Sequence, residues 1–475
     1  MYPRIIIAAL KGGSGKTILS LGLAAAWREK SLQVAPFKKG PDFIDAGWLS
    51  MAAEVPCYNL DPFLMNEEQI FNSFLNHSGQ EGISLIEGNR GLYDGLDIDG
   101  CCSTAELGRL LNAPVLIVLD VTMTTRTMAA LVRGCQVFDP ELNIAGVILN
   151  RVAGPRQKNL ITNAIWKYCG IPVVGSVPKL KENPFPERHM GLVPHQERDR
   201  ARKAISWARK IVLDNLDLER IQKIAGTAPE LDLISHPFEA KTVAKKMPFR
   251  PRIGFIRDQS LWFYYPENIS ELEKGGADLI KLDAISANAL PDLDALYIGG
   301  GFPETQAQYL ANNVPFRTAL KEAIENGLPV YAECGGLIYL GEQIRLPGHH
   351  YPMVGALPLD FVFQKKPQGH GYTILETCGQ NPYYPVGKIL RGHEFHYSKA
   401  ILTAPEERVR FAFKVQRGNG IDSGKDGICR KNVLGTYTHV HAAGEPDWVK
   451  GLMRAALNFK EKKGGKTPEK LKKNI

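Results

Sequence analysis

No apolar stretch of this 475-residue chain approaches the ~18 consecutive residues of a membrane-spanning helix; runs such as Ile5–Leu10 and Val115–Leu119 have the length of strands. A basic residue stands at Arg4, but the chain then reaches Lys11 and a glycine loop, without the apolar core and cleavage site of a signal peptide. The 8 Cys, at positions 57, 101, 102, 135, 169, 334, 378 and 429, form no C-x-x-C pair and no repeated spacing, so neither a zinc site nor a disulfide framework is expected. Although there are 46 Gly and 31 Pro, no Gly-X-Y period and no internal repeat organises them. These absences exclude membrane, disulfide-scaffold, fibrous and low-complexity classes. A cytoplasmic protein of two or three domains is expected, since 44% apolar and 23% charged residues can fill real cores.

The net charge of +8 is mostly local. Residues 460 to 475 hold Lys460, Lys462, Lys463, Lys466, Lys470, Lys472 and Lys473 against two Glu, and no aromatic residue is interleaved with them. This reads as a solvated basic end, and no nucleic-acid partner is expected. Upstream, short β-branched runs alternate with helical stretches at Arg4–Leu10, Gln33–Phe37, Ile83–Glu87, Val115–Asp120, Ile144–Asn150 and Val173–Val177. Several are apolar without alternation, as strands covered on both faces should be, which predicts a doubly wound parallel sheet. A charged, Pro-punctuated stretch follows, and a fresh strand begins at Arg252-Ile253-Gly254-Phe255-Ile256. Strand candidates Ala295–Ile298 and Pro329–Ala332 then run into glycine turns, so a second α/β domain is expected. The boundaries read as 1–247, 248–458 and a flexible basic tail over 459–475.

The strongest local signal is the strand Ile5–Leu10 running through Lys11-Gly12-Gly13-Ser14-Gly15-Lys16-Thr17 into a helix. Glycines let backbone N–H groups curl round phosphates, Lys16 brings a charge to the outer phosphates, and the Thr17 hydroxyl can ligate Mg2+. Leu10 stands where the usual pattern has its first glycine. The Lys-Gly-Gly-x-Gly-Lys-Thr form also resembles the phosphate loops of dimeric partitioning ATPases, in which the first Lys crosses the dimer interface; that resemblance leaves a homodimer open as a partner. A phosphate loop needs acids to hold its metal. Asp42 and Asp45, after the second strand, and Glu87, closing Ile83–Ile86, are the candidates, because strand-end acids face the crevice at the carboxyl edge of a parallel sheet.

In the second half, Pro329-Val330-Tyr331-Ala332-Glu333-Cys334-Gly335-Gly336 reads as a strand entering a tight turn that pushes a thiol into the open and aims the next N–H at an oxyanion. Gly299-Gly300-Gly301 offers a second donor, and His439 and His441, in Thr436–His441, are both available as the base a thiol needs.

Taken together these residues resemble the cobyrinate a,c-diamide synthase family, a dethiobiotin-synthetase-type ATP-dependent amidoligase domain fused to a class I glutamine amidotransferase domain. The resemblance is carried to about residue 455 by Phe37-Lys38-Lys39-Gly40-Pro41-Asp42, Asn59-Leu60-Asp61, Ile86-Glu87-Gly88, Gly91-Leu92-Tyr93-Asp94-Gly95 and Phe138-Asp139-Pro140. It continues through Gly146–Val152, Pro186-Glu187-Arg188-His189, Gly299–Glu304, Ala332–Gly336 and Gly392–Tyr397. It implies an α/β fold in two parts, an N-terminal P-loop domain with a doubly wound parallel sheet and a C-terminal glutamine amidotransferase α/β domain. Cys334 is then the glutaminase nucleophile and His439 its base. The usual class I triad has Glu two residues after that His; here His441 stands there, leaving the group that orients His439 unknown.

By the same resemblance Asp42, Glu87 and Asp94 act in catalysis, Thr17, Asp45 and Glu87 hold Mg2+, and Gly12, Gly13, Ser14, Gly15, Lys16, Thr17 and Asn150 bind ATP, Asn150 through adenine. The substrates implied are L-glutamine, ATP and a tetrapyrrole carboxylic acid. Cobyrinate, amidated on its a- and c-acetates through acyl phosphates, is the first acceptor expected. Asn89-Arg90, where corrin-amidating members commonly carry Val-Met, resembles the branch that amidates sirohaem or its precursor. A rival reading is a partitioning-type ATPase switch whose C-terminal domain only binds a partner.

Overall fold

The computed structural model describes residues 2–180, 184–185, 187–188, 191–192, 198–231, 250–405 and 409–463, with backbone alone at 187–188, 191–192 and 198–200. The chain divides into two compact units, Met1–Lys241 and Thr242–Ile475. The boundary expected near 248 lies outside the described residues, as do Pro186 and His189 and the end of the chain beyond 463.

The first unit is built on seven strands, β1 (Arg4–Ala9), β2 (Val34–Lys39), β3 (Tyr58–Leu60), β4 (Ile83–Glu87), β5 (Val115–Asp120), β6 (Ile144–Val152) and β7 (Val173–Pro178). They lie in the order β3-β2-β4-β1-β5-β6-β7, every pairing parallel. β1 and β4 are buried throughout, consistent with helices on both faces and with their unbroken Ile/Leu/Ala content. β1 runs into helix α1 (Lys16–Glu29), and β2 into α2 (Phe43–Ala53). Register places Glu87 beside both Ile7 and Lys38, so the ends of β1, β2 and β4 share one edge. The winding from strand to strand reverses at β4 and β1, β2 lying to one side and β5 to the other, and such a switch point opens a crevice at the carboxyl ends of the strands.

The second unit carries a nine-stranded sheet. Asp278–Leu282, Arg252–Ile256, Ala295–Ile298, Val330–Glu333 and Val433–Thr436 are parallel neighbours. An antiparallel extension of Lys425–Arg430, Arg410–Arg417, Gly369–Thr377 and Ile389–His396 completes it. The last helix, Pro446–Lys463, continues past the expected start of the tail at 459. It does so because Lys460 pairs with Asp294 at 3.2 Å and Lys463 with Asp292, which offsets charge repulsion at that end. Among the described residues no helix is long and apolar enough to cross a membrane.

Candidate functional site

In the first unit the loop after β1 has left-handed backbone at Gly13 (φ 71°) and Gly15 (φ 95°), the latter capping α1. Asn150, at the sheet edge on β6, donates from Nδ2 to the Ser14 carbonyl at 2.8 Å and accepts from the Arg151 N–H at 2.9 Å. Its amide braces the loop. Lys16 is buried, and its Nζ donates to the Arg90 carbonyl at 2.7 Å. Burial holds this amine below its ordinary value. Lys11, by contrast, is exposed and 3.7 Å from Asp120.

Thr17, Asp45 and Glu87, singled out as metal ligands, are brought together. The Thr17 hydroxyl donates to Glu87 Oε1 at 2.7 Å and lies 3.4 Å from Asp45 Oδ2. Between the two acids sits a group the sequence reading passed over, the ammonium of Lys38, 2.8 Å from both Asp45 Oδ2 and Glu87 Oε1. Lys38 is 2% exposed and Glu87 fully buried. Burial pushes the Glu87 carboxyl up while Lys38 pulls it back. Glu87 Oε2 is buried with no hydrogen-bond partner among the described residues. Hard oxygen donors with an unsatisfied carboxylate oxygen fit Mg2+, with Lys38 as the resident counter-charge. Two adjacent Lys at a strand end ahead of Gly-Pro-Asp were the available signal for Lys38.

Asp42 is the N-cap of α2, accepting from the Ile44 and Asp45 N–H groups at 2.8 and 3.1 Å. Burial and the neighbouring Asp45 push its carboxyl up to about 7. Asp94 accepts from the Gly91 N–H at 2.9 Å, closing a turn that the Leu92 N–H ties to the end of β1 through Ala9 O at 2.7 Å. Beyond it, the Cys101 and Cys102 sulfurs are 3.2 Å apart beside Glu106, whose carboxylate accepts from the Cys102 N–H.

In the second unit the turn after Val330–Glu333 is the expected elbow. Cys334 has φ 45° and ψ −97°, a strained conformation for a residue with a side chain, immediately ahead of helix Gly335–Leu340. The thiol is not pushed into the open, however. Cys334 is 4% exposed, with Sγ 3.6 Å from the Phe395 carbonyl, because strand Ile389–His396 covers the turn. Burial pushes this thiol well up. An elbow fixes backbone geometry at the nucleophile; what lies over it is decided by segments remote in sequence.

The same covering strand reaches the candidate base. His393 and His439 exchange backbone hydrogen bonds, 3.1 and 2.8 Å, and their rings stack 4.9 Å apart. His439 also packs against Phe263, with ring centroids 4.3 Å apart, and against the Gly300 backbone. Its Nδ1 is 3.3 Å from Glu333 Oε2. His441 points elsewhere, with Nε2 3.5 Å from Glu267. Of the two histidines, His439 is the one bonded to strand Ile389–His396, which covers Cys334. Glu333, the residue immediately before Cys334, is the carboxyl group beside His439. Burial pushes Glu333 up to about 8 and His439 down to about 3.

A strained Cys334 under strand Ile389–His396, a buried His439 that the same strand reaches, and a glycine loop against the turn lie in a glutamine amidotransferase unit; the other unit is a P-loop nucleotide-binding domain. Sequence comparison agrees. The description "CobQ/CobB/MinD/ParA nucleotide binding domain" matches residues 5–193, and "CobB/CobQ-like glutamine amidotransferase domain" matches 252–447. The chain is 40% identical over 453 residues to cobyrinate a,c-diamide synthase of Magnetococcus marinus, spanning 95% of this chain and 97% of that protein. It is 38% identical over 459 residues to the Archaeoglobus fulgidus enzyme of the same name, spanning 96% and 98%. The Syntrophotalea carbinolica enzyme of that name is likewise 38% identical, over 460 residues. The chain belongs to the cobyrinate a,c-diamide synthase family and is an ATP-dependent carbon–nitrogen ligase with glutamine as amido donor.

Proposed function

We propose that the chain converts the a- and c-acetate carboxylates of cobyrinate to amides, each round using one ATP and one glutamine. The observation that carries this reading is the coexistence, in one chain, of the Lys16–Thr17–Glu87 constellation and the strained Cys334 elbow with His439. In the first unit a substrate carboxylate oxygen attacks the γ-phosphorus of ATP; the bond to the bridging oxygen breaks, ADP leaves, and an acyl phosphate remains. Lys16 offsets charge on the transferring group, and Thr17, Asp45 and Glu87 would hold Mg2+, which supplies further charge neutralisation when bound. Asp42 and Asp94, at the same loop-bearing edge, position the acceptor, and Asn150 keeps the loop in register.

In the second unit Cys334 attacks the glutamine carboxamide as His439 takes the thiol proton and returns it to the leaving nitrogen. Ammonia departs, and water clears the glutamyl thioester as glutamate. The Gly335 N–H, following the nucleophile, and the Gly299–Gly301 loop are the oxyanion donors. Ammonia then displaces phosphate from the acyl phosphate to give the amide.

The test is incubation of the pure protein with ATP, Mg2+ and glutamine on cobyrinate or on sirohaem, with the products weighed. Two amides gained on cobyrinate fit the proposal; two gained on sirohaem alone would assign the acceptor to the second branch, for which Asn89-Arg90 is the motivating feature. Cys334→Ala should lose glutamine-dependent product and keep ammonia-dependent product, whereas Lys16→Ala should lose both. Loss of both activities in Cys334→Ala would refute the division of labour.

A further inference from the structure

We propose that Glu333 is the positioning residue of the glutaminase site, occupying by a different route the place a triad carboxylate would fill and holding His439 with its Nδ1–H directed at the Glu333 carboxylate. The inference rests on the reading of Cys334 and His439 as nucleophile and base. Residue 441, two after the base, is a histidine aimed at Glu267 and so supplies no carboxylate. Glu333 arrives from the other side of the imidazole. It is the last residue of the strand Val330–Glu333, opposite Thr436 in the parallel register, so the chain leaving Thr436 carries His439 back over it. Its Oε2 lies 3.3 Å from His439 Nδ1 and accepts from the Tyr297 hydroxyl at 3.0 Å; its Oε1 accepts from the Val440 N–H at 3.3 Å.

These partners are themselves fixed. Asn268 donates from Nδ2 to the Tyr297 hydroxyl at 3.1 Å and to the Val440 carbonyl at 2.9 Å, and its Oδ1 accepts from the Ala442 N–H at 2.7 Å. The carboxylate, the imidazole and the peptide that follows the imidazole are thus one buried network. A carboxylate so held fixes both ring orientation and tautomer. With the proton on Nδ1, Nε2 is the basic nitrogen, which is the state needed to accept a proton from sulfur.

The titratable groups around Glu333 are Tyr297 from the neighbouring strand, Tyr264, Tyr331 and Tyr384, whose hydroxyls burial keeps protonated, together with Cys334 and His439. Among the described residues Glu333 makes no ion pair with a lysine or arginine. Burial disfavours charge on both members of the pair, so below about pH 8 the Glu333 carboxyl carries a proton and is not the carboxylate that Nδ1–H needs. As pH rises through about 8 that proton is lost, the carboxylate accepts from Nδ1–H, and the base becomes competent.

The experiment is the pH profile of glutaminase kcat and kcat/KM for the full chain, Glu333→Gln and Glu333→Ala, with ammonia-dependent amidation as the control. The expected result is a rising limb near pH 8 in the parent. Glu333→Gln should flatten it, keeping an acceptor for Nδ1–H without a titrating group. Glu333→Ala should lower kcat about 100-fold or more with KM for glutamine little changed. Both variants should retain ammonia-dependent product. A rising limb and kcat in Glu333→Gln equal to the parent's, while Cys334→Ala and His439→Ala are inactive with glutamine, would overturn the proposal alone. Glutaminase activity persisting in Cys334→Ala would instead overturn the reading on which it rests.

Discussion

The backbone of Gly300 offers a steric test of where His439 must sit. A methyl group built on Gly300 would come 2.4 Å from His439 Cε1, 3.2 Å from Nε2 and 3.0 Å from Phe263 Cδ1. Ordinary carbon–carbon contact begins near ~3.5 Å, so the imidazole must retreat by roughly 1 Å. It has little room, since Phe263 lies against one side, the His393 ring stacks 4.9 Å away, and Glu333 holds Nδ1. Gly300 is not among the positive-φ positions, so alanine suits its backbone and the perturbation is confined to the contact. A displacement of ~1 Å in a catalytic group costs on the order of 100-fold in rate, or about 2.7 kcal/mol in the barrier. Gly300→Ala should therefore reduce glutaminase kcat/KM about 100-fold, while ammonia-dependent amidation and the circular dichroism spectrum stay at parental levels. Glutaminase activity within about threefold of the parent would refute the argument that His439, held against Gly300, is the base.

Two further outcomes follow from buried charge. Lys38→Met leaves Glu87 and Asp45 without their shared cation, and breaking a buried pair in this way should destabilise the first unit by about 3 kcal/mol at pH 8. Glu87, already held up by burial, should take a proton more readily in the variant, so urea titrations should find the deficit smaller at pH 5.5; equal deficits at both pH values would contradict the pairing. Asp426 is fully buried, accepting from Thr436 Oγ1 at 2.8 Å and the Gly427 N–H at 2.7 Å, and burial raises its carboxyl to about 6. The native state then binds more protons than the unfolded chain between about pH 4 and 6, so the parent loses stability as pH rises through that window, by up to roughly 3 kcal/mol. Asp426→Asn should gain on the parent by that order from pH 4 to pH 7 in parallel denaturation curves, and a constant difference would count against it.

The parts of the fold that could be read from sequence are those whose pattern is local. Ile83–Glu87, Val115–Asp120 and Arg252–Ile256 occupy the expected spans because short, largely apolar runs rich in Ile, Val and Leu read clearly as strands when both faces are covered. Tyr58–Leu60 was not anticipated, being three residues at a sheet edge with an asparagine in the middle. The antiparallel half of the second sheet was equally unseen: Gly369–Thr377 and Arg410–Arg417 mix charged, glycine and aromatic residues, since such strands pack on one face only. At the sites, the glycine loop and the elbow were legible as backbone motifs. The burial of Cys334 was not, because Phe395 approaches it from far along the chain. Lys38 reads as one of two ordinary charged residues at a strand end until register sets it beside Glu87.

Glu87 and Glu333 show why position alone does not define an acid's role. Each is the last residue of a strand flanked by parallel neighbours on both sides, each stands at the carboxyl edge of its parallel strands, and each is buried. Their surroundings answer the cost of that burial differently. Glu87 has an ammonium at 2.8 Å and a hydroxyl at 2.7 Å, so its charge is matched by a cation and its state responds to what competes for that cation's place. Glu333 has a phenol, a peptide N–H and an imidazole, none of them a fixed positive charge, so its state responds to the proton it shares with His439. A buried carboxylate beside a lysine suits the handling of phosphate and metal, where charge must be held constant. One beside neutral donors suits acid–base chemistry, where charge must appear and vanish during turnover. The same strand-end geometry thus sets a carboxyl against a cation in one unit and against neutral donors in the other, and the difference lies in whether the facing residue is Lys38 or His439.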